Sequence, residues 1–272
     1  MERRTYDLIA ASPAGPREPI PVLLYHRADL PGPKPSIIYY HGVSQNKEAY
    51  VDTHPLARRL ADAGYAIAIP DAPGHGARPA GATLIDRLRQ SLAREFCADI
   101  AIAGDESDAL FDWLVSQPEV DGGRLGVVGI SMGGFTTAVV AARQRQRLRA
   151  AVSIAGSGDL ATCMAETDSI GPGKWGPLDR AIDEETAHAI ARIDPMSHAD
   201  LYAPLPFLLL HGERDTWNPA ITSQRTYAAI EPSYRDTMSE NLRLVIVPGA
   251  PHWPPGPAFV AETIAWFDRH VK

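Results

Sequence analysis

Cysteine is scarce in this chain. Among 272 residues there are two, Cys97 and Cys163, too few for a disulfide framework. No CxxC pair and no Cys/His cluster has the spacing of a structural zinc site, so no metal is expected. Positive charge is not in excess either. Lys and Arg number 26 against 33 Asp and Glu, leaving a net charge of −7. Proteins that bind nucleic acid usually carry a basic stripe. The densest basic stretch here, Arg143, Arg145, Arg147 and Arg149, ends an Ala-rich helical pattern, where cations complement the helix dipole. Nucleic acid is therefore not an expected partner. No stretch approaches the roughly 20 apolar residues of a membrane span. The opening MERRTYDLIA lacks the apolar core of about 7–15 residues found in export signals. The expectation is a cytoplasmic protein with no membrane partner. The oligomeric state stays open.

What is present is enough to build a large core. Hydrophobic residues make up 45% of the chain. An α/β protein often uses about 250 residues in one domain, so residues 1–272 are expected to form one. Strand-like and helix-like segments alternate, which predicts a mostly parallel sheet covered on both faces. About eight strands are expected, at 4–10, 20–26, 36–41, 65–70, 125–130, 150–155, 206–210 and 242–247. Helical patterns fall at 48–63, 84–115 (broken near Gly104), 132–146, 219–230 and 257–271. The interval 156–204 departs from this rhythm. It is too long for a structureless loop in a compact domain. It is expected to be a cap-like insertion with one or two short helices, the best at 178–193.

The chemistry concentrates at Gly129-Ile130-Ser131-Met132-Gly133-Gly134. G-x-S-x-G between a buried strand and a helix is a nucleophile elbow. The turn is so sharp that neighbouring side chains must be absent, and it lifts the serine hydroxyl above the sheet. A serine needs a base to take its proton, and the base needs a carboxylate to orient it. In such folds the chain order is Ser, then Asp or Glu, then His. Asp215 follows the strand at 206–210, and His252 follows the strand at 242–247. Both leave carboxyl ends of strands, where open α/β sheets bind ligands. Glu213 and Asp159 are alternatives for the acid. The developing oxyanion needs N–H donors. The residue after the serine, Met132, is one candidate, and Val43 in His41-Gly42-Val43 is the other.

Five ordered segments, HGVSQNKEAY (41–50), DAPGHGAR (71–78), GISMGG (129–134), HGERD (211–215) and GAPHW (249–253), carry a resemblance. Together they resemble the α/β-hydrolase superfamily. Within it they are similar to small bacterial serine esterases grouped with dienelactone hydrolases and prolyl-oligopeptidase-like peptidases. The resemblance runs from about residue 20 to the C-terminus. It implies an α/β-hydrolase fold, with Ser131 as nucleophile, Asp215 as acid, His252 as base, and Val43 and Met132 as oxyanion donors. Dienelactone hydrolases proper place a cysteine where Ser131 stands. From position, Trp175, Trp253 and His75 are candidates to touch substrate, with Met164, Ile170 and Leu178 as further pocket candidates. For His75, support of its own loop is the favoured role and substrate contact the alternative. The expected activity is hydrolysis of small, short-acyl esters without a cofactor. Amide, thioester or C–C hydrolysis on the same triad is the alternative, and a non-catalytic binding protein on this scaffold is a third.

Overall fold

The computed structural model describes residues 1–8, 18–78, 84–166, 178–235, 239–253 and 256–272. Its centre is one eight-stranded sheet, built from β1 (Glu2–Leu8), β2 (Ile20–His26), β3 (Lys34–Tyr40), β4 (Ala66–Pro70), β5 (Val120–Ile130), β6 (Ala150–Ile154), β7 (Phe207–Gly212) and β8 (Leu242–Val247). The spatial order is β1-β2-β4-β3-β5-β6-β7-β8. β2 runs antiparallel to both its neighbours, and every pairing from β4 to β8 is parallel. Parallel strands need crossover connections, so helices cover both faces and the inner strands are apolar on both sides. Every residue of β2, β3, β4, β6 and β7 is buried, whereas edge strand β1 is largely exposed.

Successive strand residues point to opposite faces, and the core divides accordingly. Val22, Leu24 and Ile38 pack on one face with Leu110, Phe111 and Leu114 of α4 (Leu92–Val115), Ala138 and Ala141 of α5 (Met132–Arg143) and Ile230 of α8 (Ala220–Ile230). Leu23, Tyr25, Ile37 and Tyr39 pack on the other, with α1 (Lys47–Asp52), α2 (Pro55–Asp62) and α9 (Pro257–His270). A third apolar cluster joins Leu88 of α3 (Leu84–Gln90), Phe96 and Ile100 of α4, and Phe135 and Val139 of α5. Leu160 and Met164 of α6 (Leu160–Glu166) and Ile190 of α7 (Glu184–Ile193) complete it. Among its described residues, the 156–204 segment thus holds two helices and two 3₁₀ turns, at 195–197 and 199–201. The helix expected at 178–193 starts later, at Glu184, because Asp183 caps it by accepting from the Thr186 N–H. Among the described residues no helix is long and apolar enough to cross a membrane.

Two helical expectations need correction. The pattern at 48–63 is two helices, because Pro55 starts α2 and His54 caps it. The pattern at 84–115 breaks at Ser91, which caps α4 by accepting from the Arg94 N–H, and not near Gly104. Gly104 stays inside α4 for a packing reason. A Cβ there would stand 2.8 Å from Cγ1 of Val139 on α5. Gly104→Ala is therefore expected to destabilise the protein by about 1–3 kcal/mol in urea unfolding, although Ala is the better helix former by about 1 kcal/mol. The loss should shrink when Val139→Ala makes room. A stabilised Gly104→Ala variant would mean that the helices are not in this contact.

Candidate active site

Ser131 stands between β5 and α5 with φ 60° and ψ −121°, a conformation costly for a side chain that is not glycine. The strain is enforced by backbone crowding. A Cβ on Gly129 would lie 2.0 Å from the Gly133 carbonyl oxygen, and one on Gly133 would lie 2.1 Å from that of Tyr40. The turn closes only with glycine at both places. The Gly134 and Phe135 N–H groups fold back on the Ser131 carbonyl, at 2.8 and 3.2 Å. The first N–H groups of a helix have no intrahelical acceptor, and Met132 opens α5.

Above the sheet edge, His252 Nε2 is 3.0 Å from Ser131 Oγ and His252 Nδ1 is 2.7 Å from Asp215 Oδ2. A carboxylate only accepts, so Nδ1 bears the proton and Nε2 is open to accept from the serine hydroxyl. The other Asp215 oxygen accepts the N–H groups of Trp217 and Asn218, each at 2.9 Å. Burial alone raises a carboxyl, but here the bonds from His211 and His252 outweigh it and bring Asp215 down to about 2. The rival acids are engaged elsewhere. Glu213 accepts from the Gly249 N–H at 2.7 Å, and Asp159 pairs with Arg225 at 2.7 Å.

The loop after β3 is set by a chain of hydrogen bonds. His41 Nε2 accepts from the Ala72 N–H at 3.0 Å, so the ring proton sits on Nδ1 and is donated to the Gly42 carbonyl at 2.9 Å. In a trans peptide the C=O and the following N–H point in opposite directions. The Val43 N–H is thereby turned away from His41. Gly42 lies close to the elbow, since a Cβ there would be 3.4 Å from Ser131 Cβ. Asp71 anchors the loop from below, accepting from Lys47 Nζ at 2.7 Å, the Lys47 N–H at 2.9 Å and the Ala77 N–H at 2.9 Å. Gly76 is required there, because a Cβ would fall 2.3 Å from the Asp71 carboxylate.

A cavity of about 410 Å³ opens over these groups, lined by Val43, Tyr50, Ser131, Trp217, His252 and Trp253 among others. A wider depression of about 650 Å³ along α7 is formed by that helix and its cap and holds none of them. Trp253 therefore stands where substrate contact is expected, packed 5.1 Å from the His54 ring. His75 does not. It is buried, its Nδ1 lies 2.7 Å from the Pro73 carbonyl, and its ring packs against His41 outside the cavity wall. The loop-stabilising role fits this placement. Met164 and Leu178 pack in the apolar cluster around α5 rather than on the cavity, and Trp175 and Ile170 lie outside the described residues. Sequence reasoning missed Trp217, whose indole stacks on the His252 ring at 5.1 Å and 16°. Its place two residues after Asp215 was the only signal. It also missed Tyr50, whose hydroxyl accepts from the Gly42 N–H at 2.7 Å.

Comparison with known proteins gives the family and the fold. The prolyl oligopeptidase family matches residues 53–272. The chain is 31% identical to esterase YjfP of Escherichia coli over 228 residues, covering 80% of this chain and 84% of that protein. It is 27% identical to dipeptidyl-peptidase 5 of Porphyromonas gingivalis, covering 88% of this chain but 34% of the peptidase. Among solved structures, TT1662 from Thermus thermophilus superposes with a TM-score of 0.67 at 22% identity, over 99% of this chain and 98% of that one, and so shares the fold.

The buried histidines of the site give a pH expectation. Burial lowers His54 and His75 from 6.5 to about 4, and lowers His41 as well. Above pH 6.5 these rings are neutral in both states and their contribution to stability is complete. Below it the unfolded chain takes up protons that the folded protein refuses until about pH 4. Asp99, raised by burial to about 6, acts in the opposite sense. His270 is lowered as well and Asp194 is raised, but the two rings brought to about 4 outweigh Asp99, so stability from urea unfolding is expected to fall by a few kcal/mol between pH 6.5 and 4. A flat profile across that window would contradict the burial of these rings.

Proposed function

The chain belongs to the prolyl oligopeptidase family and is a serine hydrolase, and on that premise we propose that it is a carboxylesterase acting on small, short-acyl esters. The reading rests on one observation above the others, the continuous bridge from Ser131 Oγ through the His252 ring to Asp215, at 3.0 and 2.7 Å. In this mechanism Ser131 Oγ attacks the ester carbonyl while its proton passes to His252 Nε2. The tetrahedral oxyanion rests on the N–H groups of Val43 and Met132. His252 then protonates the departing alcohol, leaving an acyl group on Ser131. A water that gives its proton to His252 attacks the acyl-enzyme, and the acid leaves with Ser131 restored. Asp215 keeps the imidazole in the Nδ1–H tautomer and stabilises its cation, and the stacked Trp217 adds the attraction of a ring face for that cation.

The substrate reading draws on the esterase relative, which the chain matches over most of its length, and on an aromatic cavity within reach of Ser131. The 156–204 segment is read as a cap that belongs to the same single domain, supported by the packing of α6 and α7 on α4 and α5. Amide hydrolysis is the second reading, favoured by the family and by the dipeptidyl-peptidase relative.

Turnover of p-nitrophenyl acetate and butyrate tests the proposal. Ser131→Ala is expected to lower kcat by at least about 10³-fold, and Asp215→Asn by about 10²–10⁴-fold through loss of the correct tautomer. A Ser131→Ala enzyme with wild-type turnover would refute the mechanism. A kcat/KM higher for aminoacyl p-nitroanilides than for these esters would put the peptidase reading first.

A further inference from the structure

Asp215 is more heavily bonded than the partner of a single histidine needs to be. Its side chain has no exposed surface. One carboxylate oxygen takes two backbone N–H groups. The other, Oδ2, takes His252 Nδ1 at 2.7 Å and a second imidazole, Nε2 of His211, at 3.2 Å. His211 is fully buried in the carboxyl end of β7, four residues before Asp215. Its Nε2 also stands 2.6 Å from the Asn218 carbonyl oxygen. A carbonyl only accepts, so Nε2 carries a proton whatever the charge of the ring. That proton is donated to the Asn218 carbonyl, and Asp215 Oδ2 stands 3.2 Å from the same nitrogen. On the other side of the ring, Nδ1 is 2.6 Å from Ser223 Oγ on α8. The imidazole is thereby braced at both nitrogens between β7, the acid turn and α8.

We propose that His211 is a positioning residue, which holds the Asp215 carboxylate through its Nε2–H and takes up part of the negative charge that His252 would otherwise face alone. The inference rests on the reading of Ser131 and His252 as nucleophile and base. Its consequence has a definite sign. Without the second donor, the charge on Oδ2 bears more fully on the His252 imidazolium and stabilises it. His252 then stays protonated to higher pH, and fewer molecules carry a base able to accept the serine proton. The low value of Asp215 agrees, since the bond from His211 leads the influences that lower it. The other ionisable groups on the elements packed around this pair are engaged elsewhere or sit at its margin. Glu213 bonds Gly249, Arg225 on α8 pairs with Asp159, the Cys163 thiol on α6 meets the Asn218 side chain at 3.4 Å, and Arg214 is exposed.

Two amide variants separate positioning from simple structural support. His211→Gln carries its amide nitrogen to about the place of Nε2, whereas His211→Asn reaches only as far as Nδ1 and faces Ser223. The pH dependence of kcat/KM for p-nitrophenyl acetate is the readout, with melting followed by circular dichroism. In His211→Asn the acid limb is expected to move up by about half to one pH unit, with kcat at pH 7 down about tenfold and KM within about twofold. In His211→Gln the limb is expected within about 0.2 unit of wild type. A purely structural role lowers the height of both profiles without moving the limb. Identical limbs in all three proteins, or a downward shift in His211→Asn, would overturn the proposal. A second measurement needs no substitution at His211. In the ¹⁵N-histidine-labelled protein, Nε2 of His211 is expected to bear a slowly exchanging proton whose resonance moves in Asp215→Asn. An unprotonated Nε2, or a resonance indifferent to Asp215→Asn, overturns it equally. Wild-type protein that neither turns over esters nor reacts with a fluorophosphonate at Ser131 would instead remove the functional reading on which the inference stands.

Discussion

Backbone crowding at the strand-to-helix turn of Ser131 is the constraint from which the rest of the site follows. Three chain segments come so close there that side-chain atoms at Gly129 and Gly133 would overlap the carbonyls of Gly133 and Tyr40. The serine pays for this with a left-handed φ and is held up into the cavity mouth. Ser44, Ala155 and Asp159, the other described non-glycine residues with positive φ, lie in loops after β3 and β6. Strain therefore gathers at one edge of the sheet. Such strain persists only where the surroundings over-determine it, and here the buried strands β3 and β6 and the buried carboxyl half of β5 supply the rigidity.

Around that fixed point, buried polar groups do the aligning. Asp71 ties two loops together, and His41 turns the Gly42 peptide. Asp215 gathers two backbone N–H groups and two imidazoles. Each of these groups is buried, and a buried polar atom without a partner costs about 1–3 kcal/mol. Full bonding therefore leaves few alternative arrangements at comparable energy. The site is preorganised in this sense, and groups held in place beforehand need not reorganise as charge develops.

The family spans enzymes of different reach. This chain matches an esterase over most of that protein's length and a dipeptidyl-peptidase over about a third of its length. Specificity lies in what surrounds the nucleophile. In this chain the described surroundings of Ser131 include Tyr50, Trp217 and Trp253, side chains that offer flat apolar faces with a polar tip.

Much was legible in the residues. Continuous apolar runs marked the doubly covered strands, because burial on both faces removes alternation. Gly129-x-Ser131-x-Gly133 marked the elbow, because only glycine tolerates that approach. Chain order marked Asp215 and His252, because carboxyl ends of parallel strands share one edge. Other features depend on neighbours distant in sequence. Gly104 looks like a helix breaker until Val139 is found against it. His75 could either brace its loop or touch substrate, and its ring packed against His41 shows the first. Trp217 carried no motif of its own as partner of the base, and His211, though it opens HGERD (211–215), gave no sign there that its ring stands beside the acid. Local pattern thus determined which segments form the sheet and which residues arrive at its edge. Only tertiary packing decided which of them touch, because contact depends on the path of the chain between them and on which polar atoms remain to be satisfied once the core has closed.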